Sequence, residues 1–213
     1  MVFQLTDELV FPHPSLADDD GLLAVGGDLS AERLMLAYSY GIFPWYSANE
    51  PILWYSPHER FVLYPERVKV SHSMRQLIRS SRYEVRWNTA FEEVIKACAM
   101  VPRKQQQGTW INDEMIAAYV SLHQQGLAHS VEVWESENLV GGLYGVVVGK
   151  VFCGESMFSK QANTSKLALI ALCRSGYFDL VDCQLYTEHL ERMGAQYMGR
   201  DDFMEIIDSS LPQ

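Results

Sequence analysis

Two short stretches of this 213-residue sequence carry polar side chains that their apolar surroundings do not require. In the first, Val151-Phe152-Cys153-Gly154-Glu155-Ser156-Met157-Phe158, a carboxyl group follows a glycine where a strand is expected to end. In the second, Leu180-Val181-Asp182-Cys183-Gln184-Leu185, Asp182 and Gln184 stand two residues apart. Alternate residues of a strand point to opposite faces. The spacing therefore predicts that Asp182 and Gln184 project from one face, with Val181, Cys183 and Leu185 on the other. An ionised carboxylate on a central strand is costly unless it is paired or hydrogen-bonded. On spacing alone, the two residues read either as a structural pair that ties down a loop or as groups held for a reaction.

The elements that must hold these residues follow from caps and periodicity. A helix is predicted over about 31–40, with Ser30 as cap, Glu32 in the first turn and Gly41 as the stop. An extended stretch covers Leu53 to Pro57, and a strand runs from Arg60 to Tyr64. Ser73 and Gln76 form a capping-box pair that opens a helix over about 74–80. Arg75, Arg79 and Arg82 would line one side of it as a positive stripe. A strand over 83–88 leads to a second capping box, Thr89 with Glu92, and a helix to about Ala99. After a polar loop, Asn112 caps a helix over about 113–125. Residues 129–134 and 139–148 form a hairpin, and Gly149-Lys150 turns the chain into a short strand ending at Gly154. An apolar helix runs from Thr164 or Ser165 through Arg174, then a strand over 178–185 and a short helix over 187–193. Helices on a mostly antiparallel sheet make an α+β architecture, with a boundary near residue 60.

Composition narrows the class. No apolar run approaches the ~20 residues that a membrane-spanning helix needs. The stretch from Met1 to Pro14 lacks the basic start and apolar core of a signal peptide. The expectation is a cytoplasmic protein with no membrane partner. Cys98, Cys153, Cys173 and Cys183 sit among apolar neighbours and form no C-x-x-C pair, which reads as reduced, buried thiols. The six histidines show no metal-ligand spacing, so no metal or other cofactor is expected. The net charge of −10 is unevenly spread: residues 66–104 hold nine Lys or Arg against four Asp or Glu. A basic segment on an acidic chain suits local phosphate contact, and it equally suits a solvated basic face.

Eight segments carry a family resemblance: residues 21–28 (GLLAVGGD), 41–45 (GIFPW), 52–57 (ILWYSP), 108–111 (GTWI), 128–134 (AHSVEVW), 139–145 (LVGGLYG), 152–159 (FCGESMFS) and 182–184 (DCQ). Together they resemble the leucyl/phenylalanyl-tRNA–protein transferases, collinearly from about Phe11 to Asp202. The sequence departs from the family pattern at Thr187, where asparagine is familiar, and at Leu143, where methionine is.

The resemblance implies a small N-terminal α/β domain over 1–60. Beyond it lies a larger domain over 61–213 with the GNAT (acyl-CoA N-acyltransferase) fold. It implies transfer of Leu or Phe, less often Met, from aminoacyl-tRNA to acceptor proteins that begin with Arg or Lys, marking them for N-end rule degradation. It places Asp182 and Gln184 beside the attacking amine, and Glu155 facing the acceptor's charge. Leu143, Phe152, Met157, Leu169, Leu172 and Val181 would line the aminoacyl pocket. Trp45 and Trp110 would stack on the terminal adenosine. Arg75, Arg79, Arg82 and Arg86, with Arg103 and Lys104, would meet tRNA phosphates. The donor is an activated ester, so neither ATP nor a catalytic triad is expected. The rival readings are a CoA-dependent N-acetyltransferase and a non-catalytic adaptor that binds aminoacyl-tRNA or protein N-termini. Residues 159–165 (SKQANTS) lack the glycines of a CoA pyrophosphate loop, and the combination of Glu155, Asp182 and Gln184 argues against a mere adaptor.

Overall fold

The computed structural model describes residues 2–47, 49–101 and 111–211. The first part of the chain folds as β1 (Phe3–Leu5), β2 (Leu22–Gly26), α1 (Ala31–Ser39), β3 (Phe43–Pro44) and β4 (Leu53–Tyr55). These four strands form one sheet in the order β1-β2-β4-β3, parallel only between β1 and β2. The chain continues with β5 (Glu59–Leu63), α2 (His72–Arg79), β6 (Glu84–Trp87), α3 (Phe91–Ala99) and α4 (Asp113–Gln124). Next come β7 (Ala128–Glu135), β8 (Asn138–Val148), β9 (Val151–Ser159) and α5 (Thr164–Arg174). It closes with β10 (Leu180–Asp182), α6 (Glu188–Arg192), β11 (Gln196–Gly199) and α7 (Arg200–Ser210). The second sheet has seven strands in the order β11-β5-β10-β9-β8-β7-β6. The architecture is α+β, with two sheets.

One pair in the large sheet is parallel: β9 with β10, joined by the crossover helix α5. A parallel pair needs such a crossover, because a tight turn can only reverse the chain. The remaining pairs are antiparallel. Strand alternation divides the sheet's contacts between two faces. On one face Val62, Tyr144, Val146 and Cys153 pack with α1, α3, α4, α7 and the small sheet. On the other, Phe61, Leu143, Phe152 and Val181 pack with α2, α5 and α6. Fully burying each such Leu, Val or Phe side chain is worth about 1.5–3 kcal/mol, so both faces are strongly anchored.

Several local expectations hold. Ser30 accepts from the Arg33 N–H and Asn112 from the Met115 N–H, each as an N-cap. Others need correction. Ser71, not Ser73, caps α2 through the Met74 N–H. That helix ends at Arg79, and Ser81 takes a left-handed φ of 51°, so Arg82 leaves the helical stripe. The expected capping box at Thr89 is absent: the Thr89 N–H and hydroxyl donate to buried Glu132, which also accepts from the Ala90 N–H and the Ser130 hydroxyl. A partner 43 residues away satisfies those groups instead of the neighbouring Glu92. Finally, β9 does not stop at Gly154 but runs on to Ser159, and β10 covers only Leu180–Asp182.

Candidate functional site

The site arises where the parallel ladder fails. The last paired residues are Asp182 and Cys153, yet β9 continues to Ser159 while the chain of β10 turns away. Between the diverging segments lies a cavity of about 440 Å³, within the ~300–1,000 Å³ common for small-ligand sites.

A β-bulge sets what β9 presents to this cavity. Tyr144 stands opposite Ser156 and Gly145 opposite Gly154, so Glu155 is an extra residue with no partner across the ladder. Bulges re-aim side chains beside them. Here the bulge flips the parity of the strand, so that Phe152 and Met157, five apart, pack on one face. Gly145 permits it: a Cβ there would lie 2.2 Å from the Cys153 carbonyl oxygen and 2.6 Å from the Phe152 ring.

Glu155 is thereby turned toward α1 and α4 and is only 8% exposed. Its Oε1 accepts from the Tyr38 hydroxyl at 2.7 Å and from Nε2 of Gln184 at 2.7 Å. Its Oε2 lies 3.3 Å from the Tyr119 hydroxyl, and the two phenol oxygens are 2.5 Å apart. Burial pushes the Glu155 carboxyl up to about 7, with the nearby Asp182 charge adding to it and the hydrogen bonds from Tyr38, Gln184 and Tyr119 pulling the other way. Burial, reinforced by Glu155, holds both phenols well above their ordinary range, so near pH 7 they are donors.

Asp182 is fully buried and paired with Arg60: Nη2 to Oδ2 at 2.6 Å and Nε to Oδ1 at 3.3 Å. Such a two-pronged contact fixes geometry as well as charge. Arg60 also donates to the Gly41 carbonyl at 3.0 Å and lies between the Phe43 and Phe203 rings, 4.8 Å from each centroid. One cation thus joins the chain's N-terminal part, its large sheet and its last helix.

The strand-face expectation for Asp182 and Gln184 does not survive. β10 ends at Asp182, and Gln184 adopts a φ of 62°. A left-handed non-glycine residue needs support. It comes from the Gln184 N–H, which donates to Asp182 Oδ1 at 2.8 Å, and from the Gln184 carbonyl, which accepts from Phe61 N–H at 3.2 Å. Asp182 therefore fixes the backbone of Gln184, while Glu155 fixes its side-chain amide.

The cavity wall brings together Glu155, Asp182 and Gln184 with Trp45 and all six apolar residues singled out above: Leu143, Phe152, Met157, Leu169, Leu172 and Val181. Trp110, Arg103 and Lys104 lie outside the described residues. The arginines are elsewhere on the surface. Arg75 and Arg79 are exposed on α2. Arg82 instead binds Glu135 at 2.7 Å and Gln161 at 2.9 Å, and Arg86 binds Glu84 at 2.7 Å over the Trp134 ring.

Three residues central to this geometry escaped the sequence reading: Arg60, Tyr38 and Tyr119. The demand of a buried Asp182 for a cation was the available signal for the first. For the tyrosines it was a hydroxyl on an apolar helix face, which requires a partner. His189 also lines the cavity, with its Nε2 buried and no hydrogen-bond partner, and burial lowers its pKa. Cys183 touches the cavity too, but burial raises its thiol well above the ordinary range, so it holds little thiolate for nucleophilic attack. Among the described residues no group of three or more His, Cys, Asp or Glu is placed to hold a metal ion. No helix among them is long and apolar enough to cross a membrane.

Chemically, this is an apolar chamber for a small side chain, bordered by one buried carboxyl that titrates near neutrality and one fixed amide. It suits a reaction that needs positioning and one proton acceptor. The family model described as leucyl/phenylalanyl-tRNA protein transferase matches residues 62–208, and that of its N-terminal domain matches residues 27–58. A leucyl/phenylalanyl-tRNA–protein transferase of Syntrophobacter fumaroxidans is 51% identical over 215 residues, covering 100% of this chain and 92% of its own. One of Flavobacterium psychrophilum is 50% identical over 206 residues, covering 95% and 98%. Among solved structures, a GCN5-related N-acetyltransferase from Kribbella flavida aligns with 76% of this chain and 61% of its own, with a TM-score of 0.39 and 8% identity.

Proposed function

This chain belongs to the leucyl/phenylalanyl-tRNA–protein transferase family, and from that premise we propose how its cavity works and what it acts on. It is an enzyme, an aminoacyltransferase. In our reading it moves Leu or Phe, less often Met, from aminoacyl-tRNA to the N-terminal Arg or Lys of cytoplasmic proteins, and so marks them for N-end rule degradation. The observation that carries this is the Glu155–Gln184 bond at the wall of an apolar chamber.

The division of labour follows from the geometry. Leu143, Phe152, Met157, Leu169, Leu172 and Val181 take the donor's side chain, and adaptable Met157 suits two shapes of guest. Trp45 stacks on the terminal adenosine, a contact worth ~1–3 kcal/mol. Trp110 has the same role in this reading. Gln184 Nε2 is committed to Glu155, so its Oε1 is free to accept from the incoming amine. Asp182 holds the turn that places this amide. Arg75 and Arg79 meet tRNA phosphates directly, whereas Arg82 and Arg86 do so on exchanging their present acidic partners. The chain divides near residue 60 into a small domain over 1–60 and a transfer domain over 61–213, a reading supported by two sheets that share no strand.

The chemistry asks little beyond this. The ester is already activated, and an α-amino group with a pKa of ~7.7–8.0 is partly neutral near pH 7. Holding amine and carbonyl in attack geometry supplies up to ~7–11 kcal/mol. The direct test mixes the protein with Phe-tRNA or Leu-tRNA and an Arg-initiated peptide, without ATP or CoA. The expected result is a peptide heavier by one residue. An unchanged peptide here, with acetyl gained from acetyl-CoA instead, would overturn the reading.

A further inference from the structure

We propose that Glu155, Tyr38 and Tyr119 form a closed hydrogen-bond ring that takes up the proton of the acceptor's α-ammonium, with the two tyrosines as positioning residues. The proposal rests on the transfer reaction described above.

Proton counting in the cluster motivates it. Three oxygen pairs lie close together: Tyr38 to Glu155 Oε1 at 2.7 Å, Tyr119 to Glu155 Oε2 at 3.3 Å and Tyr38 to Tyr119 at 2.5 Å. Each contact needs one hydrogen, and each phenol carries only one. With Glu155 ionised, two hydrogens serve three contacts and one link stays open. A proton on Oε2 completes the circuit: Glu155 donates to Tyr119, Tyr119 to Tyr38, and Tyr38 to Oε1. Hydrogen bonds in a chain polarise and strengthen one another. The fourth contact, from Gln184 Nε2 to Oε1, is served in both states. The cluster thus opens a single internal link when the carboxyl ionises and closes it again on protonation.

Its position suits the task. Glu155 borders the cavity, whereas the tyrosines approach from behind on α1 and α4 and are themselves buried. Among the described residues no other free carboxylate lines the cavity, because Asp182 is tied to Arg60 and to the Gln184 backbone. Cys153, also near Glu155, is a thiol that burial raises well above its ordinary range.

The step balances as follows. The acceptor's ammonium gives one proton to the Glu155 carboxylate, and the neutral nitrogen attacks the ester carbonyl carbon, forming the C–N bond. The bond from that carbon to the tRNA 3′-oxygen breaks, its electron pair goes to the oxygen, and the oxygen takes the second amine proton. Glu155 releases its proton to solvent as product leaves.

The test is the pH profile of single-turnover transfer from Phe-tRNA to an Arg-initiated peptide, for wild type, Tyr38→Phe, Tyr119→Phe and Glu155→Gln. Wild type should rise with a midpoint near 7. Losing the Tyr38 donor weakens the ionised form. Its midpoint should move up by about one pH unit, costing close to tenfold at pH 6 with recovery at pH 9. Tyr119→Phe should shift in the same direction by less, and Glu155→Gln should lack this rise. The infrared band of a protonated carboxyl that Glu155→Gln removes should titrate with the same midpoints in the folded proteins without substrate. A loss that is equal at every pH in both tyrosine variants, or a midpoint shared by all four proteins, would overturn the ring. Failure of wild type to transfer at any pH would instead remove the proposed function.

Discussion

The side-chain amide of Gln184 donates to Oε1 of Glu155 at 2.7 Å, although 29 residues separate them. Glu155 lies on β9 and Gln184 in the turn that follows β10, and this bond bridges the gap between them at the cavity wall. Because an ionised carboxylate only accepts, the amide's orientation is decided by Glu155.

Gln184→Glu should disturb both partners. Two carboxyls sharing one site cannot both ionise easily. The rise in single-turnover transfer should move up by more than a pH unit, with at least about a fivefold loss at pH 7. Measuring rate against pH decides it, and an unmoved profile would show that the two side chains do not communicate.

Breaking the Arg60–Asp182 ion pair should cost stability first. Arg60→Met leaves the buried Asp182 charge without its partner, a loss of about 3–5 kcal/mol. Adding Asp182→Asn to that variant should return a large part of it. Urea denaturation of the two single variants and the double variant checks this coupling.

Stability should also depend on the protonation of Glu155. Its folded-state pKa, about 7, lies above the ordinary 4.5. The folded protein therefore binds more protons than the unfolded chain between those values. The stability this contributes is complete below about 4.5 and is lost as pH rises through 7, on the order of 3 kcal/mol in total. Glu155→Gln should lack that decline, so urea midpoints of variant and wild type should diverge between pH 5 and 7.5 in the variant's favour.

The apolar wall should set the choice of donor. Leu169→Phe narrows the chamber and should favour Leu over Phe, by about tenfold for each 1.4 kcal/mol of lost fit within the ~1–3 kcal/mol such pockets discriminate. Competition between the two charged tRNAs, read by peptide mass, measures the ratio. An unaltered ratio would place the donor's side chain elsewhere.

On the surface, Arg75→Ala and Arg79→Ala should each weaken tRNA binding and lower the slope of log affinity against log salt by about one. Glu135→Gln frees Arg82 and should act in the opposite direction. A salt titration of binding separates the three.

What could be read in advance was local. The hairpin of β7 and β8, the helix α1 with its Ser30 cap and α4 with Asn112 follow from neighbouring residues, and they stand as expected. The misreadings share a cause: distant partners override local pattern. Thr89 turns to Glu132, and Asp182 turns to Arg60, 122 residues earlier. The bulge at Glu155 inserts one residue into a period of two, which no alternation pattern reveals. The left-handed turn at Gln184 likewise hides in a sequence that reads as strand. β11 and α7 went unread altogether. The cluster Tyr38–Tyr119–Glu155 draws its members from three elements far apart in the chain, so its chemistry exists only after folding.

Arg60, held between the rings of Phe43 and Phe203, has a consequence for the order of events during synthesis. A chain still being made has its first ring early and its second only when α7 emerges. Until then the guanidinium is covered on one side alone, and water competes for Asp182. The Arg60–Asp182 pair that underlies the cavity wall is therefore shielded on both sides only once α7 has packed against it.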